Sequence, residues 1–191
     1  MRFGILAMQG AVEPHRRAIE ACGHEAVLVR RPEEVAAVAG LILPGGESTT
    51  IGKLIQRFGL DEPIRELAAA GKPLFGTCAG MILLAKDIEE SEQYRLGLMD
   101  AAVRRNAFGR QVDSFEADLE IGGLEGGPFR AVFIRAPYLT EVRGEARALA
   151  SVEGKIVMAQ QGNVLAAAFH PELTPDPRVH RKFIAMACAG Y

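Results

Sequence analysis

Cysteine is scarce in this sequence: the chain of 191 residues has three, an odd number without paired spacing. Free thiols in a reducing compartment are therefore expected, and we predict that the protein is cytoplasmic. The C-x-x-C and H-x-x-x-H spacings that are typical of structural zinc sites are both missing from the sequence. We therefore expect no metal site.

An excess of charge of one sign is lacking as well. Lys and Arg number 22 against 24 Asp and Glu, which gives a net charge of −2. Because no basic run would attract phosphates, nucleic acid is not expected as a partner. No apolar run has the length of a membrane span, and the first residues enter a strand pattern directly. These features argue against a membrane segment and against a signal peptide.

The glycine-rich motifs that bind nucleotides are also missing. Gly52-Lys53 has no glycine five positions before Gly52 and no Ser or Thr after Lys53, so the Walker pattern fails. The dinucleotide pattern G-x-G-x-x-G does not follow the first predicted strand. We therefore expect no nucleotide to bind, and the sequence shows no visible place for another cofactor.

What the sequence does contain is an alternation of strand and helix patterns. With 49% hydrophobic residues the chain can bury a large core, and we expect one domain, residues 1–191. The alternation predicts an α/β fold with a doubly wound, mostly parallel central sheet flanked by helices. From about Leu96, Gly-rich breaks between strand patterns predict a more antiparallel extension. The predicted strands are 3–8, 25–29, 41–43, 73–75, 100–104, 111–121, 130–135, 146–152, 155–161 and 164–169, and the predicted helices are 12–22, 33–39, 48–58, 63–70, 79–85 and 179–189.

A sharp corner is predicted at Gly76-Thr77-Cys78-Ala79-Gly80, where a strand meets a helix in a G-x-C-x-G pattern. Glycines flank such a corner because side chains there would collide with neighbouring backbone. The corner places the sulfur of Cys78 at the N-terminus of a helix, where free N–H groups and the helix dipole favour a thiolate. The alternative is a small buried cysteine in a tight turn, which is common.

The last predicted strand ends in His170-Pro171-Glu172. Pro171 favours an extended conformation at His170, and in an extended chain residues i and i+2 point to the same side. His170 and Glu172 can then serve as a base and the acid that orients it. Because carboxyl ends of parallel strands meet at one sheet edge, Cys78 is expected beside them. The alternative for His170 is a loop histidine that bonds to backbone.

The third predicted strand ends in two glycines, Gly45 and Gly46, which Glu47, Ser48 and two threonines follow. Glycines and capping residues between a strand and a helix leave backbone N–H groups free, which makes a good site for an oxyanion or another anion. The alternative is an ordinary helix N-cap with a tight turn. An anion site here would lie at the same sheet edge as Cys78.

The motifs at Gly45–Thr50, Gly76–Gly80 and His170–Glu172 resemble those of the class I, triad-type glutamine amidotransferases. With the segments Gln9–His15, Arg105–Glu116 and Phe133–Pro137, the chain resembles more narrowly the family of glutaminase subunits of pyridoxal 5′-phosphate synthase. The resemblance extends over the whole chain, and its most specific part is the segment 105–116. It implies the flavodoxin-like fold of class I glutamine amidotransferases. The segments that carry it are Gln9–His15, Gly45–Thr50, Gly76–Gly80, Arg105–Glu116, Phe133–Pro137 and His170–Glu172.

The resemblance implies hydrolysis of L-glutamine to L-glutamate and ammonia through a γ-glutamyl thioester. Cys78 would be the nucleophile, His170 the general base and acid, and Glu172 the residue that orients the imidazole. The implied oxyanion donors are the backbone N–H groups of Gly45, Gly46 and Ala79, and Gln9 would shape their loop. The implied glutamine contacts are Gly46, Glu47, Ser48, Arg105, Ile134 and Arg135.

The resemblance also implies a partner, because ammonia released into neutral water becomes protonated and unreactive. The partner would be a synthase subunit with a (β/α)₈ barrel, in a hetero-oligomeric complex, that builds pyridoxal phosphate with the ammonia. On the residues alone two other functions stay open. One is a Cys-type α/β-hydrolase that acts on esters or lactones, and the other is a non-catalytic binding module of flavodoxin-like shape.

The remaining histidines receive weaker predictions. Helical spacing places His15 on the same face as Val12 and Ile19 in the first predicted helix, and a role facing a partner is left open. His24 and His180 are expected to be exposed to solvent. Neither expectation gives these three side chains a part in the chemistry that the resemblance implies.

Overall fold

The alternation of apolar patterns produces the alternation of strands and helices in the computed structural model, which describes residues 1–106 and 113–189. The segment 107–112, which belongs to the most specific part of the resemblance, lies outside the described residues. The strands are β1 (Arg2–Leu6), β2 (Glu25–Val29), β3 (Leu41–Leu43), β4 (Leu74–Thr77), β5 (Ala85–Ile88), β6 (Met99–Arg104), β7 (Ser114–Leu119), β8 (Phe129–Ile134), β9 (Tyr138–Val142), β10 (Arg147–Val152), β11 (Lys155–Gln161) and β12 (Val164–Ala167). The helices are α1 (Val12–Ala21), α2 (Pro32–Ala36), α3 (Ser48–Arg57), α4 (Asp61–Ala69), α5 (Ala79–Leu84) and α6 (Arg178–Ala189).

Five parallel strands form the centre of the main sheet in the order β2-β1-β3-β4-β12. Strands β3, β4 and β12 are buried along their whole length, because helices cover both faces of such a sheet. The order is that of a flavodoxin-like, doubly wound sheet, in which ligands bind beyond the carboxyl ends of the strands. Residues that follow these strands are therefore the first place to look for a site.

The second half of the chain extends this sheet with antiparallel strands. Strand β11 pairs antiparallel with β12, β9 and β10, and β9 pairs antiparallel with β6, while β5 adds a parallel edge strand. Strands β7 and β8 form a separate antiparallel pair. The antiparallel extension is confirmed, but β5 and β9 were not predicted. Strand β5 begins directly after α5 without a turn residue, and β9 has Leu139 as its fully buried residue, so neither gives a clear pattern.

Helix α6 packs over the central strands through an aromatic cluster. The ring of Phe183 in α6 lies 5.4 Å from that of Phe3 and 5.7 Å from that of Phe75, measured between centroids. All three rings are fully buried, and aromatic pairs at such distances add to the stabilisation from burial alone. Among the helices of residues 1–106 and 113–189, none has the length and the apolar composition of a membrane span.

Asn163 holds the beginning of β12 against the beginning of β4. Its side-chain amide donates hydrogen bonds to the carbonyl oxygens of Ala68 at 2.9 Å and Lys72 at 2.7 Å. The backbone carbonyl oxygen of Asn163 accepts a hydrogen bond from the N–H of Leu74 at 2.9 Å. These bonds set the register in which the two strands run parallel towards the edge where Cys78 and His170 lie.

We predict that Asn163→Ala lowers the free energy of unfolding by about 1–3 kcal/mol, because two part-buried carbonyl groups lose their donor. Urea denaturation of the whole chain measures the change. The matched control is Gln160→Ala, which removes an exposed side-chain bond to Gly162 in the same turn and should change the stability by less than about 0.5 kcal/mol. Equal losses in both variants would contradict a special role for Asn163.

Candidate active site

The loops that follow β1, β3, β4 and β12 line one cavity of about 500 Å³ at the carboxyl edge of the parallel strands. This volume suits a small organic ligand. Cys78 and His170 line the cavity, as does every residue that the resemblance implies for the oxyanion site or for glutamine. Glu172 lies behind His170, away from the lining. Four lining residues were not predicted, namely Gly10, Ala11, Ile82 and Asn106.

The corner around Cys78 is as sharp as its sequence predicts. Cys78 has φ 50° and ψ −103°, a backbone conformation that residues other than glycine rarely adopt, and α5 begins at the next residue. A Cβ at Gly80 would lie 2.1 Å from the carbonyl oxygen of Leu43, and one at Gly76 would lie 2.5 Å from the carbonyl carbon of Gly80. Glycine is therefore required on both sides of Cys78, because a side chain at Gly76 or Gly80 would collide with neighbouring backbone.

Two loops meet beside this corner through backbone contact. The N–H of Ala11 donates to the carbonyl oxygen of Gly45 at 2.9 Å, and the N–H of Glu47 donates to Oε1 of Gln9 at 2.8 Å. A Cβ at Gly45 would lie 2.7 Å from Cε1 of His170 and 3.4 Å from Cβ of Cys78. Gln9 thus holds the Gly45–Glu47 loop in place, and the absence of a side chain at Gly45 makes room for the imidazole.

His170 and Glu172 pair as predicted, but not through an extended strand. Nδ1 of His170 lies 2.7 Å from Oε1 of Glu172, and both residues are buried. Strand β12 ends at Ala167, and Pro171–Leu173 form a 3₁₀ turn that is closed by a hydrogen bond from the N–H of Leu173 to the carbonyl oxygen of His170. The pairing is confirmed, whereas the strand-type argument for it is wrong, because Pro171 starts a helical turn.

In the pair of His170 and Glu172, each residue stabilises the charged form of the other. Burial lowers the pKa of His170, but hydrogen bonds with Cys78 and Glu172 and the charge of Glu172 outweigh burial and raise the pKa to about 10. Burial raises the pKa of Glu172, but the neighbouring imidazoles of His15 and His170 outweigh it and hold the pKa below its usual value. An imidazolium between a thiol and a carboxylate is an arrangement suited to acid–base and nucleophilic chemistry.

The expectation for His180 is wrong, because its side chain is 1% exposed instead of solvated. His15 is fully buried, which excludes the role facing a partner that was left open for it. Nδ1 of His15 lies 3.0 Å from Nε2 of His180, and Nε2 of His15 lies 3.0 Å from Oγ1 of Thr77. The sequence contained a signal for the burial of both histidines. His15 shares a helix face with Val12 and Ile19, and His180 precedes Phe183 by three positions, so it lies on the same helix face as that ring.

Gln93 is a neighbour of the site that sequence reasoning missed. Its Oε1 accepts a hydrogen bond from Nη1 of Arg105 at 2.6 Å, and its amide nitrogen donates to Oγ of Ser48 at 3.1 Å. It therefore connects two residues that line the cavity from different loops. Gln93 lies in a segment without regular secondary structure, and no periodicity or motif distinguishes it.

Backbone strain is concentrated around the cavity. Among the described residues, five that are not glycine have positive φ, between 41° and 55°, and three of these line the cavity, namely Cys78, Asn106 and Arg135. Such conformations persist only where the surrounding structure imposes them, and they cluster at functional sites. In the described part of the chain, no group of three His, Cys, Asp or Glu side chains could hold a metal ion.

Comparisons with known proteins agree with this geometry. The profile of the SNO glutamine amidotransferase family matches residues 5–189. The chain is similar to pyridoxal 5′-phosphate synthase subunit PdxT of Moorella thermoacetica, with 61% identity, and the match covers 97% of this chain and 99% of that relative. The PdxT of Carboxydothermus hydrogenoformans is 58% identical over all of both chains. The PdxT of Bacillus velezensis is 54% identical, over 98% of this chain and 95% of the relative.

Solved structures show the same fold. A crystal structure of glutamine amidotransferase matches with a TM-score of 0.93 at 49% identity, over 97% of this chain and 98% of that one. The structure of PurLQS from Thermotoga maritima matches with a TM-score of 0.71 at 17% identity, over 96% of this chain and 97% of that one, and supports the fold alone. The predicted fold class is confirmed. The chain belongs to the SNO glutamine amidotransferase family.

Proposed function

We propose that this protein hydrolyses L-glutamine to L-glutamate and ammonia as the glutaminase subunit of pyridoxal 5′-phosphate synthase. The observation that carries the proposal is the buried 2.7 Å pair of His170 and Glu172 beside the strained Cys78 in the cavity. A non-catalytic module has no need of this arrangement. The names of the PdxT relatives favour glutamine over the esters or lactones of a Cys-type hydrolase.

In the first half of the proposed reaction, the thiolate of Cys78 attacks the side-chain carbonyl carbon of glutamine. A carbon–sulfur bond forms, and the oxyanion is held by the backbone N–H groups of Gly45, Gly46 and Ala79. The imidazolium of His170 then gives its proton to the nitrogen as the carbon–nitrogen bond breaks, which releases ammonia and leaves a γ-glutamyl thioester. Glu172 keeps the imidazole in the orientation that both transfers require.

In the second half, water replaces ammonia. The neutral imidazole of His170 takes a proton from the water, and the resulting hydroxide adds to the thioester carbonyl carbon. The carbon–sulfur bond breaks, the γ-carboxylic acid leaves and releases its proton to solvent to give glutamate, and the thiolate of Cys78 is restored beside the imidazolium. No other acid or base is needed, because the imidazole replaces the proton that it gave to ammonia with one that it takes from water.

The same cavity offers contacts for the rest of glutamine. The guanidinium groups of Arg105 and Arg135 suit the α-carboxylate, since arginine binds carboxylates through paired N–H groups. Glu47 is exposed at the rim of the cavity and supplies an opposite charge for the α-ammonium group. The proposed glutamine contacts are Gly46, Glu47, Ser48, Arg105, Ile134 and Arg135, and Gln9 is proposed to shape the oxyanion loop.

The proposed product requires a partner. Free ammonia is protonated in neutral water, so a synthase subunit must receive it directly, and we propose a (β/α)₈ barrel in a hetero-oligomeric complex. The PdxT relatives are named as synthase subunits, which supports a shared assembly. The expected single domain, the cytoplasmic location, and the expectation that the glutaminase binds no cofactor, metal, nucleic acid or membrane stay predictions.

We predict that Cys78→Ala, assembled with the synthase subunit, loses at least about 10³-fold of its glutamine-driven synthesis of pyridoxal phosphate, because no thioester can form. Synthesis driven by added ammonium should stay at the wild-type rate, since the acceptor site is untouched. The measurement compares both ammonia sources in one assembly. Glutamine-driven synthesis at more than a tenth of the wild-type rate would refute the proposed nucleophile.

We predict that the imidazole of His170 titrates near pH 10 in the isolated chain, and at lower pH in Glu172→Gln, which lacks the charge that raises its pKa. Because the folded pKa lies above the unfolded value of 6.5, the pairing stabilises the fold below pH 6.5. That stabilisation is lost as the pH rises through about 10. NMR titration of labelled histidine measures the midpoint, and His170→Asn assigns the signal. A wild-type midpoint near 6.5 would contradict the ion pair.

We predict that Gln93→Ala raises KM for glutamine about 10-fold and changes kcat less, because Arg105 and Ser48 lose the side chain that joins them. Steady-state glutaminase kinetics with the synthase subunit measure both constants. The control is Glu92→Ala, which removes the exposed neighbouring side chain. If both variants keep the wild-type KM, Gln93 does not position Arg105 and Ser48 for binding glutamine.

A further inference from the structure

A buried chain of polar side chains lies behind the proposed triad, on the side of Glu172 that faces away from the cavity. It consists of Thr77 at the end of β4, His15 in α1 and His180 in α6, which are at most 1% exposed. Nε2 of His15 lies 3.0 Å from Oγ1 of Thr77 and 3.4 Å from Oε2 of Glu172. Nδ1 of His15 lies 3.0 Å from Nε2 of His180.

Burial favours the neutral form of both histidines in this chain. Burial lowers the pKa of His15 and outweighs the attraction of Glu172, and burial lowers the pKa of His180 to about 3. Their rings pack against Phe75, with ring centroids 6.4 Å and 6.2 Å away. A neutral imidazole has one N–H and one lone pair, so the neighbours decide which nitrogen of His15 carries the proton.

Glu172 and His180 together fix the tautomer of His15. Oε1 of Glu172 is bonded to His170, while Oε2 of Glu172 is buried and has no hydrogen bond within the described residues. A lone pair on Nε2 of His15 would face this carboxylate oxygen and repel it, whereas an N–H there is attracted to it. With the proton on Nε2, this N–H faces Oγ1 of Thr77 at 3.0 Å and Oε2 of Glu172 at 3.4 Å, and Nδ1 accepts a hydrogen bond from Nε2 of His180. This tautomer places a donor towards the carboxylate and an acceptor towards His180.

We propose that His15 is a positioning residue for the triad, whose Nε2–H holds Glu172 from the side opposite His170, with His180 fixing its tautomer. The proposal rests on the proposed glutaminase function. His15 also contacts Thr77, the residue before Cys78, and so ties the acid of the triad to the strand end that carries the nucleophile. A contact of 3.4 Å in the free protein can shorten when substrate is bound.

Two substitutions at residue 15 separate positioning from general structural support. The amide nitrogen of glutamine lies at the position of Nε2, and that of asparagine lies at the position of Nδ1. His15→Gln therefore keeps a donor towards Glu172, whereas His15→Asn keeps a polar group only towards His180. We expect His15→Asn to lower the kcat of glutamine hydrolysis about 10- to 100-fold with KM unchanged within about 2-fold. His15→Gln should stay within about 5-fold of the wild-type kcat.

The assay uses the assembled complex with the synthase subunit. Co-elution of the two subunits is the control for assembly of each variant, and ammonium-driven synthesis is the control for the acceptor site. The proposal is overturned if the two variants have equal kcat, whether both resemble the wild type or both fall together. A wild-type complex without glutaminase activity would instead overturn the proposed function.

If His15→Asn does not fold, as judged by thermal unfolding, the matched pair His180→Gln and His180→Asn takes its place. Glutamine at 180 keeps the donor that fixes the tautomer of His15, and asparagine removes it. We expect kcat to fall at least 3-fold more in the asparagine variant than in the glutamine variant, and equal values would overturn the proposal.

Discussion

The parallel pairing of β4 with β12 is the constraint on which the site depends. It joins residues 74–77 to residues 164–167 in register, so that the chain leaves both strands at the same edge. Cys78 directly follows one strand, its N–H bonds to the carbonyl oxygen of Ala167 at 2.8 Å, and His170 follows the other three residues later. Cys78 and His170 are 92 positions apart in the sequence, and the strand pairing makes their side chains neighbours. Glu172 requires no further strand pairing, because the 3₁₀ turn that follows His170 places its carboxylate against the imidazole.

Burying this site requires that its charges compensate one another. An isolated buried carboxylate is costly, and Glu172 is tolerable because one imidazole faces each of its oxygens. The two imidazoles differ in state, since hydrogen bonds with Cys78 and Glu172 raise the pKa of His170 while burial lowers that of His15. A charged ring therefore lies towards the cavity and a neutral ring lies towards the core. The proton that the chemistry needs is available on the side where glutamine is proposed to bind.

Much of this architecture could be predicted from the sequence, because it depends on local rules. Buried apolar runs gave the central strands, G-x-C-x-G gave the corner, and strand ends at one edge gave the neighbourhood of Cys78 and His170. The errors have physical causes. Pro171 starts a helical turn as readily as it extends a chain, and a histidine on an apolar helix face shows its buried partners only in three dimensions. Gln93 acts through contacts with two distant loops that no pattern in the sequence records.

The proposed catalytic residues and the proposed glutamine contacts are held in the cavity in different ways, and this difference determines which of them a partner can move. Cys78, His170 and Glu172 are fixed by strands, by a 3₁₀ turn and by buried side chains, so displacing them disrupts the core. The proposed glutamine contacts lie mostly on exposed loops, where Arg105 is held through Gln93 and Arg135 has φ 41°. Exposed loops can shift at low cost, whereas core elements cannot. A partner that contacts these exposed loops can therefore adjust the proposed substrate contacts while the proposed nucleophile, base and acid stay in place.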